Sequence, residues 1–154
     1  MKKQIITPEQ ELFLNKKIME EMGLDVVDKK VIDQDFGTFV QFKGKFLSAP
    51  QFNHMRGCIN FDPYNSTILM NHLFGLFAKK YEYDTGNSIQ FTYQKEYGNE
   101  GSSLVVILSN QIQIESFVYK RNTLRYIDII MKLNGDEHPE VFLKQFDIPR
   151  QPRR

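Results

Sequence analysis

Few residues of this chain have types and spacing suited to chemistry. There are three histidines, His54, His72 and His138, and one cysteine, Cys58. The run His54-Met55-Arg56-Gly57-Cys58 sets an imidazole and a thiol four apart beside a cation, an arrangement that stabilises a thiolate and makes it nucleophilic. Cys58 followed by Ile59 reads equally as a small buried hydrophobe, the usual state of an unpaired cysteine. His72 falls at the edge of an apolar helix face, a boundary position. Asp136-Glu137-His138-Pro139-Glu140 offers oxygen and nitrogen ligands to a divalent ion. The same acidic residues are explained without a metal as favourable charges at the start of a helix opening at Pro139. A single cysteine excludes an internal disulfide and any zinc site built on two thiolates, and no metal or cofactor is expected.

Phosphate and acyl-transfer chemistry find no motif. Gly98-Asn99-Glu100-Gly101 carries a carboxylate where a phosphate cradle needs bare N–H groups, and no Gly-x-Ser-x-Gly elbow occurs.

The segment Tyr119-Lys120-Arg121-Asn122-Thr123-Leu124-Arg125-Tyr126 interleaves cations with rings and suits phosphates and stacked bases. Lys120, Arg121, Arg125 and Tyr126 are therefore the candidate nucleic-acid residues. Cations at a helix start oppose the macrodipole, so a cause other than helix stability is needed. Ion pairs to Asp128 or Glu115 would serve as well. The whole chain gives this reading little help, since 20 basic residues stand against 19 acidic ones, net +1. The terminal Pro149-Arg150-Gln151-Pro152-Arg153-Arg154 has the spacing of a polyproline ligand, or is simply a basic, solvated end.

The elements that must position these residues follow from length and pattern. With 154 residues, 41% of them apolar, the chain builds one core unaided. We read a single domain over 1–146 and a basic disordered tail over 147–154. No apolar stretch reaches the length of a membrane span, and Met1-Lys2-Lys3 is not followed by a signal-peptide core, so a soluble, cytoplasmic protein is expected.

Thr7-Pro8-Glu9-Gln10 opens a helix with the signature of a capping box. Leu12, Leu14, Ile18, Met19 and Met22 line its apolar face up to Gly23. Short strands are predicted over 25–33, 38–42 and 45–47, followed by a loop over 48–66 with one possible strand at 58–61. Asp62-Pro63 or Asn65-Ser66 caps a second helix running to Lys80, where Gly75 is tolerable if it permits close approach to a sheet. Ile89, Phe91, Tyr93 and Lys95 alternate with Gln90, Thr92, Gln94 and Glu96, giving a strand with one wet face. Leu104 to Leu108 reads as a central strand covered on both faces, and 112–118 as its neighbour. Asn122-Thr123 opens a third helix with Leu124, Ile127, Ile130 and Met131 inward, ending at Asn134-Gly135, and a short helix follows over 140–146. The expected fold class is α+β: two small antiparallel meanders, about six strands, packed with three to four helices.

Folding leaves one excess unexplained. Phe36, Phe39, Phe42, Phe46, Phe52 and Phe61 crowd the first meander and its loop, more rings than a small edge sheet shelters. Aromatic residues concentrate at interface cores because each buries much area with few rotors to freeze. The expected function is thus a non-catalytic protein-binding module, an adaptor, inhibitor or assembly factor, binding a protein partner or itself through these six rings. The same rings filling the interior is the structural alternative. A nucleic-acid-binding accessory protein and a small enzyme at Cys58 and His54 are the other readings.

Overall fold

The Thr7 hydroxyl accepts from the backbone N–H of Gln10 at 3.2 Å, and the Gln10 side chain accepts from the N–H of Thr7 at 2.9 Å. This reciprocal box starts α1 (Pro8–Glu21) where the sequence places it. The structure, a computed structural model, describes residues 7–22, 26–30, 38–42, 58–59 and 64–148. Helix α1 ends on Met22 in the right-handed region, and the expected stop at Gly23 lies outside the described residues. Leu14, Ile18 and Met22 of the expected face are buried, whereas Phe13 is exposed.

Strands β1 (Val26–Lys30), β2 (Thr38–Phe42) and β3 (Cys58–Ile59) form one antiparallel sheet in chain order. Asp28 pairs with Val40, and Gln41 with Cys58. The strand expected at 45–47 lies outside the described residues.

Ser66 accepts from the N–H of Leu69 at 3.1 Å and caps α2 (Thr67–Thr85). The helix runs past the expected end at Lys80. Lys80 and Asp84 sit one turn apart with 3.8 Å between charged atoms, and the stop comes at Gly86, whose φ of +79° is left-handed. Its buried face is Met70, Leu73, Phe74 and Phe77. Gly75 is exposed, and among the described residues nothing lies within 4 Å of where a Cβ would stand, so none of them makes the close approach that would call for glycine.

The second antiparallel sheet runs β4 (Ile89–Glu96), β5 (Ser102–Leu108), β6 (Gln113–Glu115), with β5 central. Between β5 and β6 the chain reverses at Asn110-Gln111, where Gln111 takes a φ of +69°. Strand β6 is shorter than the alternation over 112–118 suggests, because the pairing lapses after Glu115 and resumes only as an isolated bridge between Tyr119 and Ser102. Helix α3 (Asn122–Leu133) turns Leu124, Ile127, Ile130 and Met131 inward as expected. The short α4 (Glu140–Leu143) continues as a 3-10 turn to Phe146.

This is an α+β architecture. The core forms where Leu104, Val106 and Leu108 of β5 meet α3, and where α1 and α2 bring Leu14, Ile18, Leu73 and Phe77 against the same cluster. Tyr64 ties three segments together: its N–H donates to Asn15 at 3.2 Å, its hydroxyl to the carbonyl of Phe146 at 2.6 Å, and its ring carries the Arg121 guanidinium at 3.8 Å. Among the described residues no helix is long and apolar enough to cross a membrane.

The glycines give a paired test. Gly75→Ala should stabilise the protein by about 1 kcal/mol, since alanine loses less entropy than glycine in a helix interior. Gly101→Ala should destabilise it by roughly 1 to 3 kcal/mol, because Gly101 has a φ of +118° and an added Cβ would collide with the Tyr119 carbonyl. Denaturant unfolding of both variants checks the two signs.

Candidate functional site

In an antiparallel ladder the residues whose peptide groups bond one neighbour alternate with residues whose groups point the other way. Tyr97 donates its N–H to the Gly101 carbonyl at 2.9 Å. Phe91, Tyr93 and Lys95 therefore aim their peptide groups at β5, and Thr92, Gln94 and Glu96 aim theirs outward. Strand β4 is the edge of the sheet, and among the described residues none bonds those outward groups.

Both faces of β4 are open, where the alternation led us to expect one. Phe91 is 54% exposed and Tyr93 43% on the outer face, and Thr92, Gln94 and Glu96 are exposed on the inner face. Helix α3 packs on β5 and β6, so β4 overhangs the helical layer. A second correction concerns Ile89. The register shifts between Ile89 and Phe91, placing Ile89 opposite Leu108 and Phe91 opposite Ile107. This irregularity moves Ile89 from the Phe91 side to the core, against which it packs.

The other edge is closed from within. Phe117 donates its N–H to Asp128 Oδ2 at 3.2 Å, and the Glu115 carbonyl accepts from Lys132 Nζ at 2.7 Å. Asp128, 0% exposed, also accepts from the Tyr119 hydroxyl at 2.6 Å and pairs with Lys132 at 3.1 Å. Burial, then the hydrogen bond to Asp128, pushes the Tyr119 pKa far up, so the phenol remains a donor. One turn of α3 thus supplies a carboxylate to the Phe117 N–H and an ammonium to the Glu115 carbonyl.

The outer face carries its own polar pin. Glu115 accepts from the Ser103 hydroxyl at 2.7 Å and from the Tyr97 hydroxyl at 2.9 Å, with Lys95 over the Tyr97 ring at 5.6 Å. The Ser103 hydrogen bond, followed by that from Tyr97 and the charges of Lys95 and Lys132, holds the Glu115 pKa below its ordinary value against the effect of burial.

The sequence candidates fall in several places. Phe39 and Phe42 lie in β2, and Phe36, Phe46, Phe52 and Phe61 lie outside the described residues. Cys58 lies in β3 opposite Gln41, and His54 lies outside the described residues. Of the basic segment, Lys120 is exposed and Tyr126 packs edge-on to Phe74 at 5.1 Å.

The two arginines do not pair with Asp128 or Glu115. Arg125, buried, donates to the carbonyls of Ser102 at 2.9 Å and Tyr119 at 2.8 Å and to Asn122 Oδ1 at 3.0 Å. Burial lowers its pKa while Glu96 and Asp147 act to raise it. Arg121 donates to the carbonyls of Ile148 and Tyr64 at 3.1 and 2.9 Å. These carbonyl contacts account for cations at the start of α3. Asp147, assigned to the tail, accepts from the N–H groups of Lys120 and Arg121 at 3.0 and 2.9 Å, putting negative charge where the helix dipole favours it. A depression of about 190 Å³ lies beside them, between Tyr64 and Lys120.

In the acidic run, His138 Nδ1 stands 3.4 Å from Glu140, and Asp136 has its pKa raised by burial and by Glu21. Among the described residues no three His, Cys, Asp or Glu side chains gather as a metal site. The sequence analysis named Asp128 only as a partner for the arginines and missed its place beside β6, although a carboxylate between Ile127 and Ile129 on an apolar helix was its signal.

Asp128→Ala should cost about 3 to 5 kcal/mol in denaturant unfolding, since it strands a buried phenol, an amide and an ammonium together. The depressed Glu115 pKa contributes stability that is present above the ordinary glutamate value of 4.5 and lost as pH falls through the lower folded value. Glu115→Gln should therefore show a flatter melting temperature than wild type on acidification below that value. No family model, curated protein or solved structure matches this chain.

Proposed function

We propose that this protein is a non-catalytic protein-binding module, an adaptor, inhibitor or assembly factor, whose contact surface is the open edge and outer aromatic face of the second sheet. The observation that carries the reading is β4, an edge strand exposed from Gln90 to Glu96, with Phe91 and Tyr93 about half exposed. Unpaired edge strands recruit other chains through their backbone groups, and alternate side chains give the pairing its specificity. Behind these rings Val105 is fully buried and Ile107 partly so, so the rings rest on an apolar layer.

The six phenylalanines of 36–61 extend the same proposal to the first sheet. A protein partner, rather than nucleic acid, is supported by the guanidinium groups of Arg121 and Arg125, whose donors already serve carbonyls within the chain.

Affinity capture from the native host tests the reading with wild type, Tyr93→Asp and Phe39→Asp. Tyr93→Asp should lose the captured protein and keep the wild-type melting temperature, because an exposed ring contributes little to folding. Loss with Phe39→Asp alone, the fold intact, would move the surface to the first sheet. Capture undiminished in both variants would refute the module.

A further inference from the structure

We propose that the open edge of β4 pairs with the same edge of a second copy of this chain, antiparallel and centred on Tyr93, so that two sheets join across a two-fold axis. The proposal rests on the protein-binding reading and names its partner.

Three observations carry it. The first is the unequal treatment of the two edges. Asp128 takes the Phe117 N–H and Lys132 the Glu115 carbonyl, whereas the outward groups of Thr92 and Gln94 have no partner among the described residues. An exposed edge is normally guarded by charge, proline or a bulge. The stretch Gln90-Phe91-Thr92-Tyr93-Gln94 contains no charge, proline or glycine, and its one irregularity lies at the Ile89 end. Isologous pairing consumes both copies' edges at once and leaves none to propagate, which a head-to-tail contact does not.

The second is charge. The charged residues of β4, Lys95 and Glu96, lie together at one end. Parallel pairing would bring like charges side by side. Antiparallel pairing centred on Tyr93 sets Lys95 opposite Phe91 of the second copy, a cation against an aromatic ring, and sets Thr92 opposite Gln94, where the outward N–H and C=O groups meet. Centring the pair nearer Ile89 would run the ladder into the register shift.

The third is the space around β4. Helix α3 packs on β5 and β6 and the inner-face residues Thr92, Gln94 and Glu96 are exposed, so a second sheet approaches edge-on without displacing any helix among the described residues. Phe91 and Tyr93 of both copies then form one aromatic cluster on the outer face.

The test is the solution mass of the full chain by light scattering and sedimentation over a wide range of concentration, expected at twice that of a monomer. Thr92→Pro removes an outward donor while leaving the β4–β5 ladder intact, and should give a folded monomer. Phe91→Lys places like charge opposite Lys95 and Phe91→Glu opposite charge, so the first should weaken the dimer by about ten-fold more than the second.

In a Cys58→Ser background, Tyr93→Cys should form a disulfide between copies under mild oxidation. Facing residues of a non-hydrogen-bonded antiparallel pair lie about 4.5 Å apart at Cα, within disulfide reach. If Thr92→Pro fails to fold, the position 91 pair and the cross-link decide.

A monomer at every concentration overturns the proposal. So does a dimer that withstands folded Thr92→Pro, and so does a dimer that does not cross-link at position 93. A monomer that still captures a host protein through Tyr93 overturns self-pairing and leaves the protein-binding reading standing; a monomer that captures nothing removes both.

Discussion

The chain crosses itself where the start of β5 meets the segment entering α3, and that crossing sets the geometry of everything C-terminal to Gly86. Gly101 lies against the backbone of Tyr119 so closely that no side chain fits. Ser102 and Tyr119 exchange two backbone hydrogen bonds at 3.0 Å, and Arg125 gathers the carbonyls of both residues under one guanidinium. A buried cation is tolerated only when its donors are spent, and here they are spent on carbonyls that each also accept a backbone N–H. The crossing fixes where α3 begins, and so which strands it covers.

From that placement follows the asymmetry of the second sheet. From the second half of α3, Asp128 and Lys132 reach the Phe117 N–H and the Glu115 carbonyl. The helix packs on β5 and β6, and Thr92, Gln94 and Glu96 of β4 stay exposed. A three-stranded sheet has two edges and this helix covers one side. The protein thus pairs an edge partly satisfied from within with an open aromatic one whose charges lie at one end, and the proposed activity belongs to the second. Tyr97, Ser103, Glu115 and Lys95 hold the outer face in a fixed hydrogen-bonded pattern, which limits the ordering a partner must impose on binding.

Local signals located the elements well. The Thr7–Gln10 box, the Ser66 cap, the apolar run of β5 and the inward residues of α3 are short-range patterns whose physics lies within one turn or one strand. Three features escaped them. The shift at Ile89 depends on pairing with β5 and leaves no mark in the alternation of β4. The extension of α2 to Thr85 required weighing polar residues against the stop at Gly86. The partners of Arg121 and Arg125 are carbonyls up to 57 residues away in sequence, and composition suggested phosphates or carboxylates instead.

By itself, the sequence determined most of the helical and extended segments among the described residues, and that the chain mixes both in an α+β architecture, because capping, periodicity and turn residues act over a few positions. Only the tertiary structure decided that both faces of β4 stay open, that Asp128 and Lys132 reach peptide groups beside the opposite edge, and that both arginines donate to backbone carbonyls. Each of these depends on where α3 lies across the sheet, and the contacts that hold it there join residues distant in sequence, beyond the reach of any local pattern.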